Sequence, residues 1–156
     1  ITDYLFYVEK PKQSAYKVAM VSEESNNNSD SIESEKTSNN DIKLLLAMGD
    51  MLHGKKVFNK CSACHSITKD GSNKIGPALW GMLGKKSASV DGYKYSKALI
   101  AHEKKWTFEE LNGFLIKPTK WIQGTKMAFA GLKNEKDRAS VLLYINSQSD
   151  NPLELP

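Results

Sequence analysis

Apolar residues follow a helical period at several places in the second half of this chain and are almost missing from residues 22–40. Leu44, Leu45, Met48, Met51, Leu52 and Phe58 fit one face of a helix. That pattern predicts one helix from about Ile42 through residue 61, with Asp41 as its N-cap. A loop follows over Ser66–Lys74, then Ile75-Gly76-Pro77. Short helices are predicted around Tyr95–His102 and Thr107–Ile116. Thr107 caps the second, Glu109 and Glu110 favour its dipole, and Pro118 stops it. A last helix is predicted over about Glu135–Ser147, with Ala139, Val141, Leu142 and Ile145 inward. No segment alternates as a strand does, and no repeat is present. The fold class is therefore all-α.

The N-terminal quarter is different in kind. Ile1–Val8 is apolar and aromatic, and Glu9–Val21 is mixed. Ser22–Asn40 is rich in Ser, Asn and Glu, with Ile32 as its one large apolar residue, too little to offset the entropy of ordering. It reads as a flexible linker, spanning about 25 Å r.m.s. as a coil. The expected organisation is a membrane-proximal segment 1–21, a linker 22–40, a folded domain 41–149 and a tail 150–156. Tyr4, Phe6 and Tyr7 suit a membrane interface.

Charge sharpens that division. Residues 1–40 carry four Lys against seven acids, a net −3, and residues 41–156 carry eighteen Lys or Arg against eleven acids, a net +7. The folded part is a basic module, which favours acidic protein partners. Nucleic acid is not expected, because the lysines are not interleaved with aromatic residues. No apolar run is long enough to cross a bilayer. The chain opens on Ile1 rather than Met, and an upstream segment, either an anchor or a cleaved signal, is expected.

The chemistry sits in Cys61-Ser62-Ala63-Cys64-His65. The C-x-x-C-H spacing is that of a c-type haem attachment site. Two thiols one helical turn apart reach neighbouring vinyl groups, and the next residue is carried under the iron. A thioredoxin-like dithiol would need a βαβ setting. A zinc site needs four ligands, and only His53 and His102 remain to supply them. A short-loop disulfide is the other alternative. A haem held by His65 needs a sixth ligand for clean electron transfer. Met127, in a Gly-bounded loop after Pro118, is one candidate; Met20, Met48, Met51 and Met82 are rivals. His53 and His102 read as surface helix residues.

These motifs carry a resemblance. GKKVFNKCSACH at 54–65, IGPALWGMLGKK at 75–86, GYKYS at 92–96, Trp106 and KPTKWIQGTKMAFAG at 117–131 are similar to the class I cytochromes c, close to the mitochondrial type. The resemblance covers about residues 41–149. It implies one covalent haem c, with His65 and Met127 as iron ligands. It implies that the Pro77 carbonyl takes the His65 ring N–H and that Tyr95 and Trp106 donate to a propionate. Thr125 would lie near the Met ligand, and Phe129 would shield the haem edge. Gly54, Phe58 and Tyr144 would form the contact between first and last helices. Four positions depart from the family: Phe114 stands for a usual Tyr, Lys85 for Arg, Asn73 for His and Leu99 for Asn.

The function implied is single-haem electron transfer from a cytochrome bc complex to a terminal haem-copper oxidase, not enzymatic catalysis. Lys60, Lys74, Lys120, Lys126 and Lys133 would ring the haem edge that meets those partners. A peroxidase-like enzyme or a haem signalling module is the alternative. Ile1–Val18 also resembles the stretch outside the membrane in anchored alpha-proteobacterial cytochromes c. That implies a protein tethered on the periplasmic side of the inner membrane, the alternative being a soluble periplasmic one.

Overall fold

The computed structural model describes residues 41–156. The readings for the membrane-proximal segment, for the linker and for Met20 lie outside the described residues. Six helical segments follow in order: α1 (41–47), α2 (Met51–Ser62), α3 (Lys97–His102), α4 (Phe108–Ile116), α5 (Pro118–Trp121) and α6 (Glu135–Ser147). No helix among the described residues is long and apolar enough to cross a membrane.

The single first helix of the sequence reading is two helices. Residue 41 is already helical, so Asp41 is not the cap. The chain turns at Met48 and Gly49, whose N–H groups donate back to Leu45 O and Leu46 O at 3.0 and 2.9 Å. Asp50 then caps α2, its carboxylate accepting from His53 N. Gly49 lies tight on α6: a Cβ there would come within 2.6 Å of Leu143 Cδ1 and 3.1 Å of the Ala139 backbone. The break resets the helical phase. Ile42, Leu45 and Leu46 point inward as an i, i+3, i+4 set, while Leu44, Met48, Met51 and Leu52 are exposed. The expected apolar stripe therefore holds only at Leu45 and Phe58.

The α2–α6 contact is the principal helix pairing. A Cβ at Gly54 would collide with the Ser140 carbonyl, so only glycine lets these backbones approach so closely. One turn on, the Phe58 and Tyr144 rings pack with centroids 5.6 Å apart. Helix α6 runs over the expected residues, capped by Asn134 with Glu135 and Asp137 in its first turn. Ala139, Val141, Leu142 and Ile145 are buried. Its buried polar residues are paired. Arg138 donates to Asn112 Oδ1 and to the carbonyls of Leu132 and Lys133, and Ser140 Oγ accepts from Asp50 N.

Thr107 caps α4 as expected. Lys117 is extended because a proline follows it, and Pro118 both ends α4 and opens α5. Residues 84–87 and 104–106 pair through one antiparallel bridge, Lys86 with Lys105. Gly84 N donates to Trp106 O and Trp106 N to Lys85 O, which fixes Trp106 against the core. The segment after residue 149 is docked, not loose: Asn146 exchanges two 2.9 Å hydrogen bonds with the Leu153 backbone.

Candidate haem site

The C-x-x-C-H motif lies where α2 ends. The Cys61 carbonyl accepts from both Cys64 N and His65 N, at 3.0 and 2.9 Å. This last turn swings Cys61, Cys64 and His65 to the wall of one cavity of about 290 Å³. The two cysteines are not bridged, which disposes of the disulfide reading. Burial, with Cys64 close by, pushes the Cys61 thiol up to about 11 against a smaller opposing pull from Lys60.

His65 is 9% exposed, and its Nδ1 lies 2.7 Å from Pro77 O. A carbonyl only accepts, so Nδ1 carries the proton and the lone pair stays on Nε2. Nε2 makes no hydrogen bond among the described residues. Burial holds the imidazole below its ordinary pKa, outweighing the Pro77 bond, so the ring stays neutral and able to ligate. Gly76 lies flat against the ring; a Cβ there would strike His65 Cε1. The sequence reading missed this role of Gly76, although the glycine before Pro77 was its signal.

Every residue named from the sequence reaches the same cavity: Cys61, Cys64, His65, Pro77, Tyr95, Trp106, Thr125, Met127 and Phe129. Of the rival methionines, Met48 and Met51 are exposed and do not line it, whereas Met82 does. Met127 sits in irregular backbone, its N–H 3.3 Å from Thr125 Oγ1. Phe114 is buried in the cavity wall, its ring centroid 5.1 Å from that of Trp106, and brings no hydroxyl. Leu79, Leu99, Leu111 and Leu115 make the rest of the lining largely apolar.

Tyr95 and Trp106 are among the polar side chains in this lining. The Tyr95 hydroxyl accepts from Val90 N at 3.3 Å and keeps its own proton to donate, and burial raises its pKa. The Trp106 indole N–H has no partner among the described residues. Tyr93 stacks edge-on against Tyr95 at 4.7 Å and donates to Ile75 O. Asn73 ties the same region together, accepting from Ala78 N and donating to Asp91 O. Two unbridged thiols, an imidazole with a free lone pair, a thioether, spare donors and an apolar lining together fit a covalently held haem.

Three of the five named lysines are already engaged. Lys60 reaches Asp137 at 3.4 Å, Lys74 donates to Ser62 O, and Lys126 donates to the carbonyls of Lys94 and Tyr95. His53 lies on the surface of α2 as expected, whereas His102 is largely buried, and both are paired. His53 Nε2 is 2.7 Å from Asp137, and His102, 14% exposed, is 2.7 Å from the buried Glu110.

Fold and site together define a helical domain built to enclose one haem. Residues 51–149 match the family model for cytochrome c. A cytochrome c homolog of Rickettsia prowazekii is 38% identical over 132 residues, 85% of this chain and 74% of that protein. The Rhodobacter capsulatus protein described as "cytochrome c-type cyt cy" is 46% identical over 100 residues; the match covers 64% of this chain and about half, 49%, of that protein. Cytochrome cH from Methylobacterium extorquens superposes with a TM-score of 0.60 at 36% identity, over 64% of this chain and 99% of its own. The chain belongs to the cytochrome c family, as a class I member of alpha-proteobacterial type. It is an electron carrier with one covalently attached haem c.

Proposed function

We propose that this protein passes single electrons from a cytochrome bc complex to a terminal haem-copper oxidase on the periplasmic side of a bacterial inner membrane, without itself catalysing a substrate reaction. The observation that carries the reading is the placement of His65 and Met127 in one apolar cavity, each a ligand-type side chain. These two residues would hold the iron of a bound haem, which would leave no coordination place for a substrate. The haem supplies one-electron iron chemistry. His65 holds its lone pair toward the cavity because Pro77 and Gly76 fix the ring. The Met127 thioether would favour the ferrous state of that iron. Trp106 and Tyr95 offer donors to anionic groups, Cys61 and Cys64 give the attachment, and Thr125 and Phe129 line the Met127 side.

Substitution tests this directly. Oxidised protein should show the far-red sulfur-to-iron band, and Met127→Ala should abolish it, lower the potential and admit cyanide. Retention of the band would move the ligand to Met82.

The basic face, with Lys60, Lys74, Lys120, Lys126 and Lys133, meets acidic partner surfaces. Lys120 and Lys133 are the lysines of this set with no ion pair or carbonyl contact among the described residues. Charge reversal at either should slow electron transfer with the partner at low salt. The effect should fade once the Debye length falls well below about 10 Å. A salt-independent rate would place docking elsewhere.

An anchor upstream of Ile1 would complete the proposal, with residues 1–21 beside the membrane and Ser22–Asn40 the leash that keeps the haem domain at high local concentration near its partners. Membranes from cells making the full gene product should retain the haem through high salt and release it in detergent. Release by salt alone would mean a soluble periplasmic carrier.

A further inference from the structure

Glu110 has no role in the electron-transfer site as described, yet it is an unusual group. It is a carboxylate only 8% exposed, on the first turn of α4. Burying a charge costs several kcal/mol unless donors surround it. Here three do. His102 Nε2, at the end of α3, lies 2.7 Å from Oε1; the Trp121 indole N–H, at the end of α5, donates to the same oxygen; Lys104 Nζ lies 3.3 Å from Oε2. Burial opposes the charged form, but these donors prevail and hold the carboxyl below its ordinary range.

Trp121 is the informative partner. It is 47% exposed, so burial alone does not fix its position. Its ring lies flush on α4 at Gly113, where any Cβ would collide with ring carbons. Its N–H is held by Glu110. The chain then runs from Trp121 through buried Ile122 and left-handed Gly124, φ +88°, to Met127. The far end of this loop is fixed separately: Leu132 N donates to Leu115 O at 2.8 Å, and Arg138 holds the Leu132 and Lys133 carbonyls. The near end has Trp121 in place of an arginine.

We infer that Glu110 is a positioning residue for Met127: through Trp121 and Gly113 it anchors the start of the loop that presents the thioether to the iron. The inference rests on Met127 as sixth ligand. His102 carries the same anchor to the Trp106 wall of the cavity, its ring centroid 6.1 Å from that of Trp106. Glu110 thus joins α3, α4 and α5, the elements around the Met127 side.

The test uses full-length, haem-loaded ferric protein and the rate at which cyanide displaces Met127. Trp121→Phe keeps a ring on Gly113 and removes the N–H. It should speed cyanide entry about ten-fold, as loss of a hydrogen bond to a charged group would, and shift the sulfur-to-iron band. Glu110→Ala should do at least as much, and Glu110→Gln, which keeps an acceptor for the indole, should recover most of the loss. Asp137→Asn, which loosens the α2–α6 pairing instead, should leave the cyanide rate unchanged. A wild-type rate and band in Trp121→Phe would overturn the inference, as would equal acceleration in Asp137→Asn. Wild-type protein lacking the band would remove the Met127 ligation reading itself, a separate result.

Discussion

The two walls of the haem cavity are built by different means. On the His65 side the imidazole leaves the end of a twelve-residue helix, α2, which is packed along α6 at Gly54 and Phe58. Its position follows from regular hydrogen bonding, two backbone bonds to Cys61 O and one ring bond to Pro77 O. On the Met127 side the thioether sits in irregular chain between α5 and α6. Its position follows from side chains at the loop ends, Arg138 at one and the Trp121–Glu110 pair at the other. The first wall is stiff because a helix and its partner must unpack together. The second has few backbone bonds of its own, and such segments open locally at lower cost.

The largest effect that separates the walls should come from Gly76→Ala. The new Cβ would strike the His65 ring, so either the imidazole turns away from Pro77 or the 75–77 backbone retreats. Overpacking of this kind costs about 1–3 kcal/mol. The haem-loaded protein should melt at lower temperature, and its low-spin spectrum and sulfur-to-iron band, which need both ligands, should weaken together. A variant with wild-type stability and spectrum would mean that the His65 side has slack, and the contrast drawn above would fail.

How much of this was legible beforehand follows the same division. The His65 side was readable because its signals are local: C-x-x-C-H is a contiguous motif, and the α6 stripe, Ala139 to Ile145, keeps its period from cap to end. The phase reset at Gly49 was not readable. Leu44, Met48, Met51 and Leu52 fit a face as well as Leu45 does, and only the approach of α6 to Gly49 decides between them. On the Met127 side the sequence named Met127 as a candidate, and the structure brings it to the cavity, but the supports of its loop were not readable. Glu110 and His102 read as ordinary charged helix residues, because a buried carboxylate leaves no periodic trace. What marks it is three donors drawn from α3, α5 and the intervening chain, which only the fold brings together.

Asp137 should give the smallest effect and the sharpest contrast with Glu110. It is a carboxylate on the His65 side, on α6, accepting from His53 on α2 at 2.7 Å and reached by Lys60 at 3.4 Å. Since the carboxylate accepts, His53 Nε2 carries the proton. The His53 bond, with Lys60 adding to it against a small burial penalty, holds Asp137 below its ordinary carboxylate range. A carboxyl depressed in the folded state stabilises it above the unfolded pKa, about 4 for Asp. That contribution is lost as pH falls from there through the lower folded value. The pair is partly exposed, so at neutral pH it is worth less than about 1 kcal/mol. Asp137→Asn should therefore melt only slightly lower than wild type at pH 7, and the gap should close in acid below about pH 4. Glu110, also depressed but buried, remains in the variant, so the variant should still lose stability in acid, on a shallower slope than wild type. Thermal melts of the haem-loaded protein from pH 7 down to pH 3 would show this. A gap that persisted undiminished in acid would mean that Asp137 acts through side-chain packing rather than through its charge.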